Sequence, residues 1–311
     1  MTYISRRQFS RWLTGLLAVA PFGFTSFRSR SKKNTKSNVL LLAGQNNHDW
    51  RRTTPLIEDI LKESGCFEVE LSIAPPEGAD PEVWDTWRPN FAQYDVVLNN
   101  YNGSPWPEPV QRQFVSYIQN GGSCLVLHSA NNPFEGWTAY EEMVGLLWRD
   151  NTYGERLYYD EDGALVRVPV AEGPSAGHGK VHDWPVTTRD AEHPIMKGVP
   201  PVWMHAHDEL YHGQRGPAQN VNILATAYSS EVSGGTGQHE PVIWWVPYGK
   251  GKVLTFLLGH LWPDQSEETS YRSVGLHTLL QRSAEWLATG KVTIPLPDTF
   301  PTAEQTSLKK L

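Results

Sequence analysis

Apolar residues along the chain alternate between two patterns. Short runs, Val39 to Ala43, Phe67 to Ile73, Val96 to Asn99 and Ser123 to Leu127, have the length and composition of buried strands. Between them, Thr54 to Ser64 and Pro107 to Asn120 carry helical spacing, the latter with Val110, Phe114, Val115 and Ile118 on one face. Strand, helix, strand in repetition predicts an α/β fold: a mainly parallel open sheet with helices on both faces, flavodoxin-like in type. Parallel neighbours need a crossover, and the crossover helices cover the sheet. From about Asn151 charged and aromatic residues intermix around turn signals such as Glu161-Asp162-Gly163, which predicts a β-rich excursion. Val242 to Val246 and Val253 to Leu258 flank "PYGKGK" and predict a hairpin, and a helix over Ser270 to Leu287 closes the body.

The two ends lack this periodicity. The first 24 residues include "SRRQFSRWLTGLLAVAPFGF", with Arg6 and Arg7 ahead of an apolar stretch from Trp12 to Phe24, which predicts a twin-arginine-type export signal and a periplasmic destination. Pro21 directly after Ala18-Val19-Ala20 disfavours cleavage there, and the Gly- and Pro-containing stretch is too short for a stable membrane span. Residues 25–37 read as a flexible linker, 38–290 as one α/β domain, and 291–311 as a Pro-punctuated tail, surface-lying or disordered. A twin-arginine route carries folded proteins, which suits a cofactor loaded before export.

Charge sharpens the division. Residues 1–37 hold eight basic and no acidic residues, leaving 19 basic against 34 acidic residues beyond them, a net charge of −15. An acidic body has no basic face for phosphates, so nucleic acid is excluded as a partner. The aromatic residues, 13 Trp among them, are expected mainly to fill the core. Cys66 and Cys124 are expected to stay unpaired, Cys124 inside an apolar run.

In open α/β sheets ligands bind beyond the carboxyl ends of the strands. After the first strand come Asn46, Asn47, His48, Asp49 and Trp50; after the third, Asn99, Asn100, Tyr101 and Asn102. The fourth is followed by His128, Ser129, Asn131 and Asn132, and the late run "VLTFLLGH" ends in His260. Asn and Gly also end strands simply because they make turns, yet four such ends with three histidines predict a polar pocket. A fifth group, "WMHAHDELYH", puts His205 and His207 on one face of a strand before Asp208 and Glu209, spacing that suits either a metal or a hydrogen-bonded histidine pair. "GHGKVHDW", with His178 and His182, is a weaker signal because Gly-rich loops often carry incidental histidines. No G-x-G-x-x-G follows the first strand, and G-x-x-x-x-G-K-[ST] and G-x-S-x-G are missing, so no nucleotide cofactor and no ordinary esterase site is expected.

Taken in order, "GQNNHDW", "GGSCLVLHSANNPFEGWTAYEEMVG", "EHPIMKGVPPVWMHAHDELY" and "PVIWWVPYGKGKVLTFLLGH" resemble the trehalose-utilisation, ThuA-like, family across Asn38 to Leu287. That family is similar in fold to class I glutamine amidotransferases. Where those enzymes place a nucleophilic cysteine, this chain has His128-Ser129, while Cys124 lies within the strand, so glutamine hydrolysis is not expected. The resemblance implies carbohydrate metabolism, with a small-molecule sugar substrate: a glucoside or disaccharide oxidised at its 3-position by a partner sugar 3-dehydrogenase. On that reading His128 or His48 is a general base, and Asp208 or Glu209 an acid or orienting partner. His260 and His207 would hold a divalent metal, zinc or manganese, unless His260 is itself the electrophile. Asn47, Trp50, Asn100, Tyr101, Ser129, Asn131 and Trp137 would contact the sugar. Elimination, isomerisation and hydrolysis of a keto sugar stay open, as do a noncatalytic sugar-binding module and a metal-dependent hydrolase of intact glycosides.

Overall fold

The computed structural model describes residues 36–310; the expected export signal and nearly all of the linker lie outside the described residues. The chain begins with β1 (Ser37–Ala43), α1 (Trp50–Glu63), β2 (Phe67–Ile73), α2 (Pro81–Thr86), β3 (Val96–Asn99), α3 (Glu108–Gln119), β4 (Ser123–Leu127) and α4 (Thr138–Val144). It continues through β5 (Arg156–Tyr159), β6 (Leu165–Val168), β7 (Gly177–His178), β8 (His182–Thr188), β9 (Val202–Asp208) and β10 (Tyr211–His212). Last come β11 (Asn222–Ser229), β12 (Gln238–Tyr248), β13 (Gly251–Phe256) and α5 (Val274–Thr289). The main sheet runs β2-β1-β3-β4-β13-β12-β11-β8-β9, with β5 and β6 attached to β12, while β7 and β10 pair separately.

Pairing is parallel from β2 to β13 and antiparallel from β13 to β9. The fold is therefore α/β, with a mostly parallel core extended by antiparallel strands. The β-rich excursion is no separate layer, because β8, β9 and β11 continue the same sheet. In β1, Val39 and Leu41 enter one core with α1 and α5, whereas Leu40 and Leu42 enter another with α3 and α4. This two-sided burial explains why the strand reads as a continuous apolar run. β13 is the joint between the halves: it lies parallel to β4, and a two-residue turn through Gly249 (φ 58°) reverses the chain from β12.

One boundary differs from expectation, and the tail takes one of its two expected forms. α1 starts at Trp50, since the Asp49 carboxylate accepts from the Arg52 backbone N–H; exposed Pro55 sits inside the helix, giving up only one backbone bond. The tail lies along the surface: Phe300 packs on Trp203 at 5.3 Å between ring centres, and the Thr302 carbonyl accepts from Met204 of edge strand β9. No helix among the described residues is long and apolar enough to cross a membrane.

Four strand spacings of about 4.8 Å separate β13 from β9 in sheet order. Yet the Gly259 N–H lies 2.8 Å from the Asp208 carboxylate. The antiparallel half must curl back to allow this, and α5 fills the concavity, sharing one core with Trp184, Trp203 and Leu224. Gly275 marks the tightest contact, because a methyl there would overlap the Trp203 ring. We expect Gly275→Ala to lower stability by about 1–2 kcal/mol in urea unfolding, the overlap outweighing the better helix propensity. An unchanged midpoint would show that α5 can shift away from the sheet.

Candidate functional site

Strand direction decides what can meet. β1, β3, β4 and β13 all point the same way, and two antiparallel reversals beyond β13, repeated once, return β9 to that direction. Their carboxyl ends therefore share one rim, which carries His48, His128, His260 and Glu209. All four side chains are buried. Ring centres lie 4.9 Å apart for His48 and His128, 5.0 Å for His48 and His260, and 5.6 Å for His128 and His260. Glu209 Oε2 is 3.7 Å from His260 Nε2, and ligand atoms of His48, His260 and Glu209 all fall within 4.8 Å of one another.

Each ring is held from behind. His48 Nδ1 lies 3.2 Å from Asn46 Oδ1 and 3.1 Å from Asn47 Oδ1, so it carries the proton and Nε2 keeps its lone pair. His128 Nδ1 donates to the Leu257 carbonyl at 2.6 Å, with the same consequence. His48 Nε2, His128 Nε2, both ring nitrogens of His260 and Glu209 Oε2 have no hydrogen-bond partner despite being buried. Orphaned polar atoms are rare in cores, and three of these residues, His48, His260 and Glu209, have the residue types and mutual spacing that could hold a divalent metal: imidazole nitrogens plus one carboxylate oxygen.

Electrostatics agrees with neutral rings. Burial, then the neighbouring imidazoles, pushes the His48 pKa far below the ordinary value, and the same causes bring His260 down to about 4. Burial also lowers that of His128. His178, on β7 and partly exposed, behaves oppositely: its Nδ1 lies 3.0 Å from Glu209 Oε1, and that contact raises its pKa. Glu209 is shifted down although burial opposes it, chiefly because of His178.

Of the two roles expected for Asp208, acid or orienting partner, its contacts fit the second. Its Oδ2 accepts from His205 Nε2 at 2.7 Å and the Gly259 N–H at 2.8 Å; its Oδ1 accepts from the Glu209 and His260 N–H groups at 2.8 and 3.0 Å. Burial would raise its pKa, but the His205 bond and nearby histidines hold it at about 2. With its oxygens engaged this way it is a positioning residue, tying the end of β9 to the segment after β13. His207 differs from the expected metal role: an extra residue between His205 and Asp208, with His207 at φ 38°, turns its side chain out to solvent. His205 stays inside, its Nδ1 3.2 Å from Ser273 Oγ.

The remaining expected contacts divide. Asn47 holds His48, and Ser129 Oγ donates to Asn46 Oδ1 at 2.9 Å. Trp50 lines an open cleft beside the cluster. Asn100 instead binds Thr53 and Thr54, and Asn131 donates to Gln214. Tyr101 and Trp137 belong to the aromatic core around Trp106 and Phe134. Residues missed or undervalued from sequence are Trp262, stacked on His48 at 4.4 Å, Tyr211, 4.3 Å from His128, and His178. Trp262 follows His260 by two positions and was a readable signal; His178 reaches the cluster only through the β7–β10 pair.

Two outcomes follow for the metal-free protein. Asp208→Asn should cost about 3 kcal/mol or more in urea unfolding, because an amide nitrogen would face N–H donors; a near-wild-type value would remove the strand-end tie as a major interaction. The depressed histidines give stability that is full above the ordinary imidazole pKa near 6.5 and is lost as pH falls towards about 4. Melting temperature should therefore drop across that window, and His260→Gln should flatten the drop; parallel curves would argue that other groups dominate.

The trehalose utilisation family, ThuA, matches residues 38–287. A crystal structure described as a ThuA-like protein, from Parabacteroides merdae ATCC 43184, superposes with TM-score 0.83 at 37% identity, covering 88% of this chain and 98% of that one. A second ThuA-like structure, from Bacteroides uniformis ATCC 8492, is 16% identical with TM-score 0.54, covering 86% and 97%, and speaks for the fold alone. No curated protein matches at a significant level. By its sequence from strand β1 through helix α5, and by the fold it shares with a ThuA-like relative, this chain belongs to the trehalose-utilisation family.

Proposed function

We propose that the chain is a divalent-metal enzyme of carbohydrate metabolism acting on a 3-keto glucoside or disaccharide, by proton abstraction beside the ketone followed by elimination. The supporting observation is the convergence of unpartnered His48, His128, His260 and Glu209 atoms at the rim of the sheet. His48, His260 and Glu209 would hold the ion, zinc or manganese, with Asn46 and Asn47 fixing the His48 tautomer and the Leu257 carbonyl that of neighbouring His128. Such an ion supplies Lewis-acid polarisation of a carbonyl oxygen.

The remaining steps fall to the protein. A C–H bond next to a ketone is acidified, and a nearby imidazole can take its proton. His178 suits that task better than His48 or His128, whose free nitrogens face the cluster; it is partly exposed and oriented by Glu209. The electron pair left at C2 forms the C1–C2 double bond as the C1–O bond breaks, and the departing oxygen takes up a proton. Buried His48 and Tyr211, with half-buried Trp262 stacked on His48, limit water at the cluster. A pair of carboxylates flanking the bond, as in glycosidases, is not assembled at the cluster, since Asp208 is sequestered. The substrate would come from a sugar 3-dehydrogenase, and the twin-arginine-like start is consistent with action in the periplasm.

The test combines metal titration with turnover. EDTA-treated protein should take up one equivalent of zinc or manganese in calorimetry, and His48→Ala, His260→Ala and Glu209→Gln should each weaken uptake at least about tenfold, as loss of a ligand requires. In D2O, proton NMR should show solvent exchange at C2 of 3-keto-trehalose and its consumption, both lost in His178→Ala, with plain trehalose untouched. Cleavage of plain trehalose would replace this reading with a glycoside hydrolase. Binding without change to either sugar would replace it with a noncatalytic sugar-binding protein.

A further inference from the structure

An open cleft of about 700 Å³ lies between the loops that follow β1, β2 and β3, at the same rim as the histidine cluster but outside it. Its lining includes Trp50, Asn46, Asn47, Asn102, Glu77 and Ser104. The cleft and the cluster share a wall. Asn47 Oδ1 accepts from Asn102 Nδ2 at 2.6 Å and faces His48 Nδ1 at 3.1 Å, while Asn46 Oδ1 accepts from Ser129 Oγ and the His48 N–H. A single layer of amide side chains thus separates the open cleft from a buried ligand.

The lining chemistry narrows what the cleft can hold. Amides, a hydroxyl and a carboxylate offer mixed donors and acceptors, which suit the hydroxyl groups of a neutral sugar ring. Trp50 adds a partly exposed aromatic surface at the start of α1, with the Arg51 guanidinium 4.5 Å from its ring centre. A phosphate or carboxylate ligand fits poorly: Arg51 is the one cation in the lining, it is engaged with Trp50, and Glu77 would repel an anion. The volume exceeds the low end for small-molecule sites, about 300 Å³, so a whole hexose ring fits without any opening of the fold.

We propose that this cleft is the subsite for the second, non-reacting sugar ring of a disaccharide or glycoside, placed so that the glycosidic bond passes over the Asn46–Asn47 wall towards the cluster. The inference rests on the keto-sugar reading for the identity of the reacting ring. It goes further in committing the second ring to the loops after β1, β2 and β3. Ring hydroxyls at Asn47 and Asn102 would brace the same amides that fix the His48 tautomer, so occupancy of the cleft orders a metal ligand. A disaccharide would then bind better than a methyl glycoside, whose single ring can fill only one of the two positions.

The measurement uses EDTA-treated full chain with unoxidised trehalose and methyl α-glucoside as probes, so that neither metal nor turnover is needed. Saturation-transfer NMR and calorimetry should show trehalose binding tighter than the methyl glycoside. Trp50→Ala should weaken trehalose about tenfold, one aromatic contact's worth, with partial recovery in Trp50→Phe. Glu77→Ala, at an exposed position, should also weaken it and guards against misfolding of the tryptophan variant. Equal affinity for the two probes, or trehalose binding unmoved by both alanine variants, would overturn the subsite, as would no binding of trehalose at millimolar concentration. Absence of keto-sugar turnover with these binding effects intact would instead sink the catalytic reading and leave the subsite standing.

Discussion

One buried carboxylate organises the rim of this molecule. Asp208 ends β9, four places across the sheet from β13, yet it accepts the backbone N–H groups of Gly259 and His260 together with the His205 ring. A carboxylate without water is costly unless its lone pairs are filled, and here four donors fill them. The antiparallel half of the sheet must curl far enough to bring those donors within reach. That curl creates the hollow occupied by α5 and sets Glu209, the next residue, beside His260. Position of a metal-type ligand and closure of the core are consequences of the same bond set.

The cluster follows a different rule, that of atoms left deliberately unsatisfied. His48 and His128 each spend Nδ1 on an oxygen behind them, which fixes the tautomer and aims the lone pair on Nε2 inward. Burial is the first reason that both rings stay neutral, and at His48 the neighbouring imidazoles add to it. In a protein without function such an arrangement would relax by forming ring-to-ring hydrogen bonds or admitting polar partners. The unpartnered atoms come from loops after several different strands, so no single local turn or packing contact produces the convergence.

Much of this was legible in the sequence, and the limits are physical. Strands β1 to β4 and their crossover helices announce themselves because parallel strands buried on both faces leave continuous apolar runs. His48, His128 and His260 were visible as strand-end residues on that basis. The pairing of β8, β9 and β11 into the same sheet was not, because antiparallel strands joined by long loops carry no local mark of their neighbours. The choice between His205 and His207 also escaped: alternation puts both on one face, and only the extra residue before Asp208 separates them. Asn100, Asn131, Tyr101 and Trp137 look like ligand contacts in one dimension, but their side chains tie loops and fill the aromatic core.

The backbone at His128 joins these threads. It lies directly after β4, at φ 43°, a left-handed conformation that costs a residue with a side chain on the order of 1–3 kcal/mol. The sharp exit from the strand turns the His128 ring towards the rim, beside His48 and His260. Here the Leu257 carbonyl and the Tyr211 ring hold the strained residue in place, and both come from the segments that Asp208 draws together. The rim around His128 is therefore shaped by the same bond set that closes the core, while Cys124 stays buried within β4.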